Sequence, residues 1–356
     1  MKTEPVIILY GGRTGEHEVS LASATAVLKN LDLNRWNPRG IGIDHDGTWY
    51  LQKDEDLFPR KGNLSVRRDP QAVVSILPGR GMTVQEKVLE CACVFPVLHG
   101  TYGEDGTVQG LLEIAGLPYA GSDVLGSALG MDKEMTKRLW LQAGLPVVPY
   151  LAFQKDDYSQ EKAEKAFGFP VFVKPVRMGS SVGVNRADSP EELRKAVEEA
   201  FRYDTRILLE PAIDGREIEC SVVGNRQPVT YGPGEIIPSH SFYSYEAKYI
   251  DPDGAALMIP ADLSEEDRRR VRDLAMRAFT TLGASGMSRV DFFYERKTGK
   301  ILLNEINTIP GFTGISMFPL MCVHHGLSFQ DLVTELIDLG IRRFHERQHL
   351  TFAYST

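Results

Sequence analysis

The chain has 356 residues, 42% of them hydrophobic and 25% charged, an ordinary balance for a globular protein of two or three domains. With 40 lysines and arginines against 48 aspartates and glutamates, the net charge is -8. This excludes a global positive field for nucleic acid or an anionic membrane, so any polyanionic ligand must be met locally. The four cysteines, Cys91, Cys93, Cys220 and Cys322, have neither CxxC spacing nor the density of a disulfide scaffold. Reduced, mostly buried thiols in a cytoplasmic protein are the expectation.

Residues 6–10 read as a strand, too short for the apolar core of a signal peptide, and no later apolar run is long enough to span a bilayer. A Gly11-Gly12 turn leads to a helix over about 18–30 and a strand over 39–43. Residues 44–88, rich in charge, Gly and Pro, predict irregular pieces with short strands before a strand over 91–98. A helix over 107–115 stops at Gly116, and a turn-like join closes a parallel αβ domain over 1–122.

The next unit, 123–206, is expected to hold a helix from 131 to 143, strands over 147–153 and 170–174, and a helix over 161–167 between them. Ser189-Pro190-Glu191-Glu192 supplies an N-cap, a proline at the first helical position and a capping-box acid for a helix over 191–201. The last unit, 207–356, opens with strands over 207–210 and 217–223. A Gly/Pro/Ser/Tyr-rich loop at 232–253, an amphipathic helix over 264–282, a hairpin and a helix over 328–344 follow. The pattern is α/β, turning to α+β in the C-terminal region, with no internal repeat.

The hairpin carries the strongest chemical signal. Arg289 and Asp291 share one strand face, as do Glu305 and Asn307, and a short turn sets the two pairs side by side. Such an all-oxygen group of two carboxylates and a carboxamide suits a hard ion that bridges phosphates, Mg2+ rather than Zn2+. The alternative is a solvated strand face, against which stand the scarcity of Asp in strands and the absence of an intervening lysine.

Upstream, Lys174 ends a strand before Gly179-Ser180-Ser181-Val182-Gly183, a loop whose backbone N–H groups can close over an anion, with a glycine-serine turn of no functional meaning as the alternative, against which stands the acidic group downstream. It is neither a P-loop nor a GxGxxG fingerprint. Lys133 opens a helix and can aim at the same phosphates, or be an ordinary surface lysine. Glu210 and Glu217 flank a turn and suit an adenine amine and ribose hydroxyls, with strand-end solvation as the alternative. At the front, Glu16 follows the glycine turn and can hold an ammonium, and His99 ends a strand before Glu104 and Asp105, where packing or capping competes with function. No Ser/His/Asp or Cys/His order supports covalent catalysis. His324-His325 reads as structural or surface, and Arg268-Arg269-Arg270 as a solvated helix face.

In this order, residues 11–20, 99–113, 131–133, 174–183, 243–249, 289–291 and 304–316 resemble the D-alanine–D-alanine ligases of the ATP-grasp superfamily, over nearly the whole chain. The resemblance implies a three-domain ATP-grasp architecture with a Rossmann-like N-terminal parallel-sheet domain. It implies that Lys133, Lys174 and Lys248 grip the phosphates of ATP, with Ser181 and Asn304 in the same nucleotide set, and that Glu210 and Glu217 meet adenine and ribose. Asp291, Glu305 and Asn307 would hold two Mg2+ ions, with Mn2+ as a substitute. Glu16 would bind the ammonium of a first D-alanine, Arg289 and the Gly311 amide an oxyanion, and Ser316 the carboxylate of a second D-alanine. Ser180 and Tyr249, with Glu16, resemble a hydrogen-bonded triad that fastens a lid, and relatives are commonly homodimers.

Some positions depart from the family pattern. Gly126 and Gly314 stand where many relatives carry Ser, and Pro211 where some carry a basic residue, which leaves detail of the adenine pocket open. Tyr249, where depsipeptide-forming relatives tend to carry Phe, favours an amine as second substrate. The rival readings are a D-alanine–D-lactate ligase, a non-catalytic nucleotide-binding protein and, with its fingerprint missing, a nicotinamide dehydrogenase.

Overall fold

An unbroken apolar run makes β1 (Glu4–Gly11) a strand buried on both faces, the signature of a parallel sheet covered by helices. In the computed structural model, which describes residues 3–238 and 255–351, β1 pairs in parallel with β2 (Trp36–Ile43) and β7 (Cys93–Val97). A short antiparallel edge strand, β3 (Trp49–Leu51), completes the order β3-β2-β1-β7. Helix α1 (His17–Lys29) covers one face with Leu21, Ala24, Val27 and Leu28. Helix α2 (Thr107–Ala115) covers the other and ends at Gly116, whose φ of 74° is the left-handed cap that glycine accepts without strain. Between β3 and β7, the irregular stretch holds a small sheet of β4 (Val74–Leu77), β5 (Gly81–Val84) and β6 (Lys87–Val88).

A second sheet has the order β10-β9-β11-β8, from β8 (Leu151–Gln154), β9 (Val171–Pro175), β10 (Asn185–Ala187) and β11 (Arg206–Pro211). It packs on α5 (Gln160–Phe167) and α6 (Pro190–Ala200). Ser189 caps α6 through its Oγ, 3.3 Å from Glu192 N, while Glu192 reaches back to Asp188 N at 2.8 Å. A third sheet runs β14-β13-β12-β15-β16: β12 (Gly215–Gly224), β13 (Val229–Pro238), β14 (Ala255–Met258), β15 (Gly286–Glu295) and β16 (Ile301–Asn307).

Several sequence expectations need correction. The single helix from residue 131 is two: α3 (Val124–Met131) and α4 (Lys133–Gln142), broken at Asp132, whose carboxylate caps α4 by accepting from Met135 N at 3.0 Å. The strand expected from 147 begins at Leu151, and Val147 makes an isolated bridge to Leu303 instead. Strand β11 hydrogen-bonds into the second sheet, so the change of sheet falls after Pro211, not after residue 206.

The first part of the expected 232–253 loop is strand β13, paired to β12. Its glycines answer close packing: a Cβ on Gly232 would come within 2.7 Å of Met321 Sδ. That methionine sits on α8 (Met317–His324), a helix the sequence pattern did not announce. The rest of the loop, with Lys248 and Tyr249, lies outside the described residues.

Helix α7 (Glu265–Thr281) buries Val271, Ala275, Ala278 and Phe279 against β12, β15 and β16, and Trp140 of α4 joins that core by donating to Ala278 O at 3.0 Å. The last helix, α9 (Phe329–Gln348), runs four residues past its expected end and packs Leu332, Val333, Leu336 and Ile337 beside β7 and Phe312. The first sheet is therefore tied to the end of the chain through a shared core. Among the described residues, no helix is long and apolar enough to cross a membrane.

Candidate active site

The β15/β16 hairpin sets Arg289 opposite Asn307 and Asp291 opposite Glu305, the pairing that strand alternation requires. A register shift follows between Asp291 and Phe292. Asn307 Nδ2 donates to Asp291 Oδ2 at 3.0 Å, and Arg289 forks onto both Asp291 oxygens at 2.7 Å each. The solvated-face alternative fails, because Asp291 is buried and Glu305 half-buried.

Beside the hairpin, a cleft of about 410 Å3 opens between the second and third sheets, lined by Lys133, Lys174, Ser180, Ser181, Glu210, Glu217, Arg289, Asp291, Asn304 and Glu305. The Lys133 side chain is 11% exposed, too little for a surface lysine, and its Nζ lies 2.7 Å from Met178 O and 3.5 Å from Glu305 Oε2. Lys174 Nζ lies 2.6 Å from Glu210 Oε2 and donates to Asn304 Oδ1 at 3.2 Å. Strand-end solvation is excluded for Glu210, which is 2% exposed. Burial opposes the Lys174 charge, but Glu210 and then Glu305 outweigh it and push its pKa up.

The loop at 179–183 carries Ser180 and Ser181 at φ of 49° and 60°, left-handed backbone that non-glycine residues adopt at a cost. This turn aims Ser180 Oγ at Glu16 Oε1, to which it donates across from the second sheet to the start of α1. Glu16 itself is 7% exposed.

Glu104 is buried beside them, accepting from Gly100 N at 2.7 Å and Ile309 N at 3.3 Å. Burial first, and the nearby Glu16 second, push its pKa up to about 8. His99 is core rather than rim: its ring nitrogens lie 3.0 Å from Ile309 O and 3.1 Å from Ser23 Oγ, and burial lowers its pKa so that it stays neutral. Together with Phe312 N, which donates to Ser23 Oγ at 3.2 Å, these contacts pin residues 309–312 to α1 and the loop after β7. Gly311 and Ser316 sit in that segment and the turn after it. Ser316 Oγ takes a hydrogen bond from Thr313 N at 3.1 Å and lies 2.8 Å from where a Gly311 Cβ would be, so a side chain at 311 would collide with it.

Two residues beyond the sequence reading belong to this region. Glu219 follows Glu217 at the two-residue period of one strand face, and its Oε2 stands 3.1 Å from Arg289 Nε. Lys137 follows Lys133 by one helical turn, and its Nζ stands 2.9 Å from Glu210 Oε1. Periodicity could have found both.

Another trio, His17, Glu18 and His45, lies within ligand range. The two imidazoles stack, however, with centroids 3.8 Å and planes 25° apart. Planes so nearly parallel do not meet within a metal–nitrogen bond of both rings, about 2.1 Å. The expected structural role of His325 agrees with its ring nitrogen lying 3.1 Å from Gly232 O.

Buried lysines and acids around a nucleotide-sized cleft between two antiparallel sheets, with a separate, mainly parallel sheet linked to the cleft through Glu16 and Ser180, define the class: an ATP-dependent ligase of the ATP-grasp fold. The family model "D-ala D-ala ligase N-terminus" matches residues 5–122, and "D-ala D-ala ligase C-terminus" matches residues 139–338. A D-alanine–D-alanine ligase of Treponema denticola is 47% identical, with 95% of this chain and 96% of that protein aligned. Among solved structures, the D-alanine–D-alanine ligase from Coxiella burnetii superposes with a TM-score of 0.86 at 37% identity, covering 98% of this chain and 97% of that one. The VanG D-Ala:D-Ser ligase from Enterococcus faecalis gives 0.83 at 36%, covering 95% and 100%. The chain belongs to the D-alanine–D-alanine ligase family, whose members carry out ATP-dependent dipeptide synthesis for peptidoglycan.

Proposed function

We propose that this ligase joins two D-alanines through a D-alanyl phosphate. The observation that carries the reading is the hairpin register, Arg289 opposite Asn307 and Asp291 opposite Glu305, at the edge of a cleft also lined by Lys133 and Lys174. A free carboxylate does not accept an amine. In the proposed sequence, the carboxylate oxygen of the first D-alanine attacks the γ-phosphorus and the bond to ADP breaks. The neutral amine of the second D-alanine then attacks the acyl carbon, a C–N bond forms, and inorganic phosphate leaves as the nitrogen gives up its proton.

In this reading, Lys133 and Lys174 neutralise the phosphates, Ser181 and Asn304 border them, and Glu210 and Glu217 take the adenine amine and ribose. Lys248 joins the phosphate ligands. Glu16 receives the first ammonium, Arg289 and the Gly311 amide face the oxyanion, and Ser316 the second carboxylate. Ser180 and Tyr249, with Glu16, fasten the part of the expected loop beyond β13 as a lid against water, which would hydrolyse the acyl phosphate. The all-oxygen donor set of Asp291, Glu305 and Asn307 fits Mg2+, or Mn2+ in its place. Two such ions held there would offset phosphoryl charge.

A homodimer acting in the cytoplasm, each chain built from a first unit over 1–122 and two further units that divide after Pro211, completes the proposal. Supplying D-alanine alone and D-alanine with D-lactate or D-serine over a range of pH, then identifying the products, tests it. D-alanyl-D-alanine with D-alanine-dependent ADP release is expected. An exclusive ester product, or no ATP consumption by folded protein, refutes it.

A further inference from the structure

Helix α4 carries a second lysine one turn beyond Lys133. Residues four apart lie on one helix face, yet the two meet different surroundings. Lys133 borders the cleft, whereas Lys137 does not, and its side chain is 1% exposed. Its Nζ stands 2.9 Å from Glu210 Oε1, while Lys174 Nζ stands 2.6 Å from Oε2. Glu210 therefore has a cation on each oxygen, and of these two Lys174 alone lines the cleft.

A triphosphate entering the cleft competes with Glu210 for Lys174. Lys137 is held behind the carboxylate, with the Tyr150 ring 6.0 Å from its Nζ. The charged groups facing this cluster are Lys137 from α4, Lys174 from β9, Glu305 from β16 and Glu217 from β12. Burial opposes the charge on both Lys137 and Glu210, and at Lys137 it lowers the pKa against the opposing pull of Glu210. At Glu210 the two lysines, Lys137 ahead of Lys174, prevail and hold the acid ionised.

We propose that Lys137 is a positioning residue that keeps the Glu210 carboxylate charged and aimed while Lys174 serves phosphate, and so sets a preference for adenine over a 6-oxo purine. The proposal rests on the reading of Glu210 as the partner of the adenine amine. An ionised carboxylate only accepts hydrogen bonds, which suits an exocyclic amine and rejects a carbonyl; a protonated one offers an O–H that a carbonyl accepts. A carboxylate this buried, once stripped of its cations, takes up a proton rather than stay charged.

The test is steady-state kinetics with ATP and GTP for K137M, K137R, E210Q and K137M/E210Q, with thermal melts of each. K137M is expected to raise KM for ATP about ten- to a hundredfold, the size of losing a hydrogen bond to a charged group. Its kcat at saturating ATP should change little, its preference for ATP over GTP should narrow, and its KM for ATP should fall again as pH rises and re-ionises Glu210. K137R should restore most of the affinity, and the double variant should match E210Q, since Lys137 acts through that carboxylate. If K137M alone does not fold, the double variant, which removes both charges, still decides against E210Q. A K137M enzyme with wild-type KM and base preference beside an impaired E210Q, or a double variant worse than E210Q, overturns the proposal. An E210Q enzyme with unaltered KM for ATP overturns the reading of Glu210 itself, and the proposal with it.

Discussion

Arg289 grips Asp291 along a single strand face, with Nε 2.7 Å from Oδ1 and Nη2 2.7 Å from Oδ2, while Glu219 Oε2 stands 3.1 Å from the same Nε. Burial opposes the guanidinium charge, but Asp291 and Glu219 overcome it and hold its pKa far above the usual arginine value. Arginine is needed for that fork; lysine brings one point charge and no plane. Arg289→Lys is therefore expected to fold and to lose roughly 10²–10³ in kcat, the usual loss when an oxyanion donor goes. Near-normal turnover would remove Arg289 from the reaction.

Glu305→Gln removes a charge without changing volume. Glu305 lies opposite Asp291 and 3.5 Å from Lys133 Nζ, so the substitution takes away a partner of Lys133 together with the proposed ligand for a divalent ion. The melting temperature should stay close to wild type and turnover should be nearly abolished, by roughly 10²–10³ or more. Stopped activity with an unchanged melt supports the role; retained activity argues against it.

Ser180→Ala breaks the hydrogen bond to Glu16, which ties the 179–183 loop to the start of α1. Hydrogen bonds to charged groups contribute about 1.5–3 kcal/mol. KM for D-alanine is expected to rise by about ten- to a hundredfold, with a smaller change for ATP. Initial-rate kinetics in both substrates provide the check, and equal or absent effects on the two would sink the idea of a loop fastened through Glu16.

Glu104 couples pH to stability. Its pKa is raised to about 8 by burial and by Glu16, above an unfolded value of about 4.3. The folded state thus binds a proton that the unfolded state has already lost, so the contribution is full below about pH 4 and drains away as pH rises towards 8. Glu104→Gln, which has no proton to lose, should flatten the chemical-denaturation stability curve between pH 5 and 8. An unaltered slope would show that Glu104 is ionised in the folded protein.

Local patterns were legible where one residue type serves one local need. Gly116 ends α2, Ser189 and Pro190 start α6, and alternation in 288–294 and 301–307 places four candidate site side chains on one face. The failures have a common cause. Residues 232–238 look like loop because of Gly232, Pro233 and Gly234, yet they belong to a strand: β12 supplies a hydrogen-bonding partner, and Met317 and Met321 fill the space that side chains would need. Helix α3 is hidden by Gly126 and Gly130, which allow close approach to Ala284 and Thr308.

The amino-acid order alone determined β1, the caps of α2 and α6, the acidic hairpin face and the loop of small residues after Lys174, because period, caps and side-chain chemistry are properties of short stretches. Only tertiary structure decided that β11 joins the second sheet, that Lys137 and Lys174 share Glu210, and that Ser180 meets Glu16 across 164 positions of chain. Those pairings depend on which buried charges find partners when separate sheets pack together, and the free energy of desolvation that enforces them arises only once water has been excluded from between them.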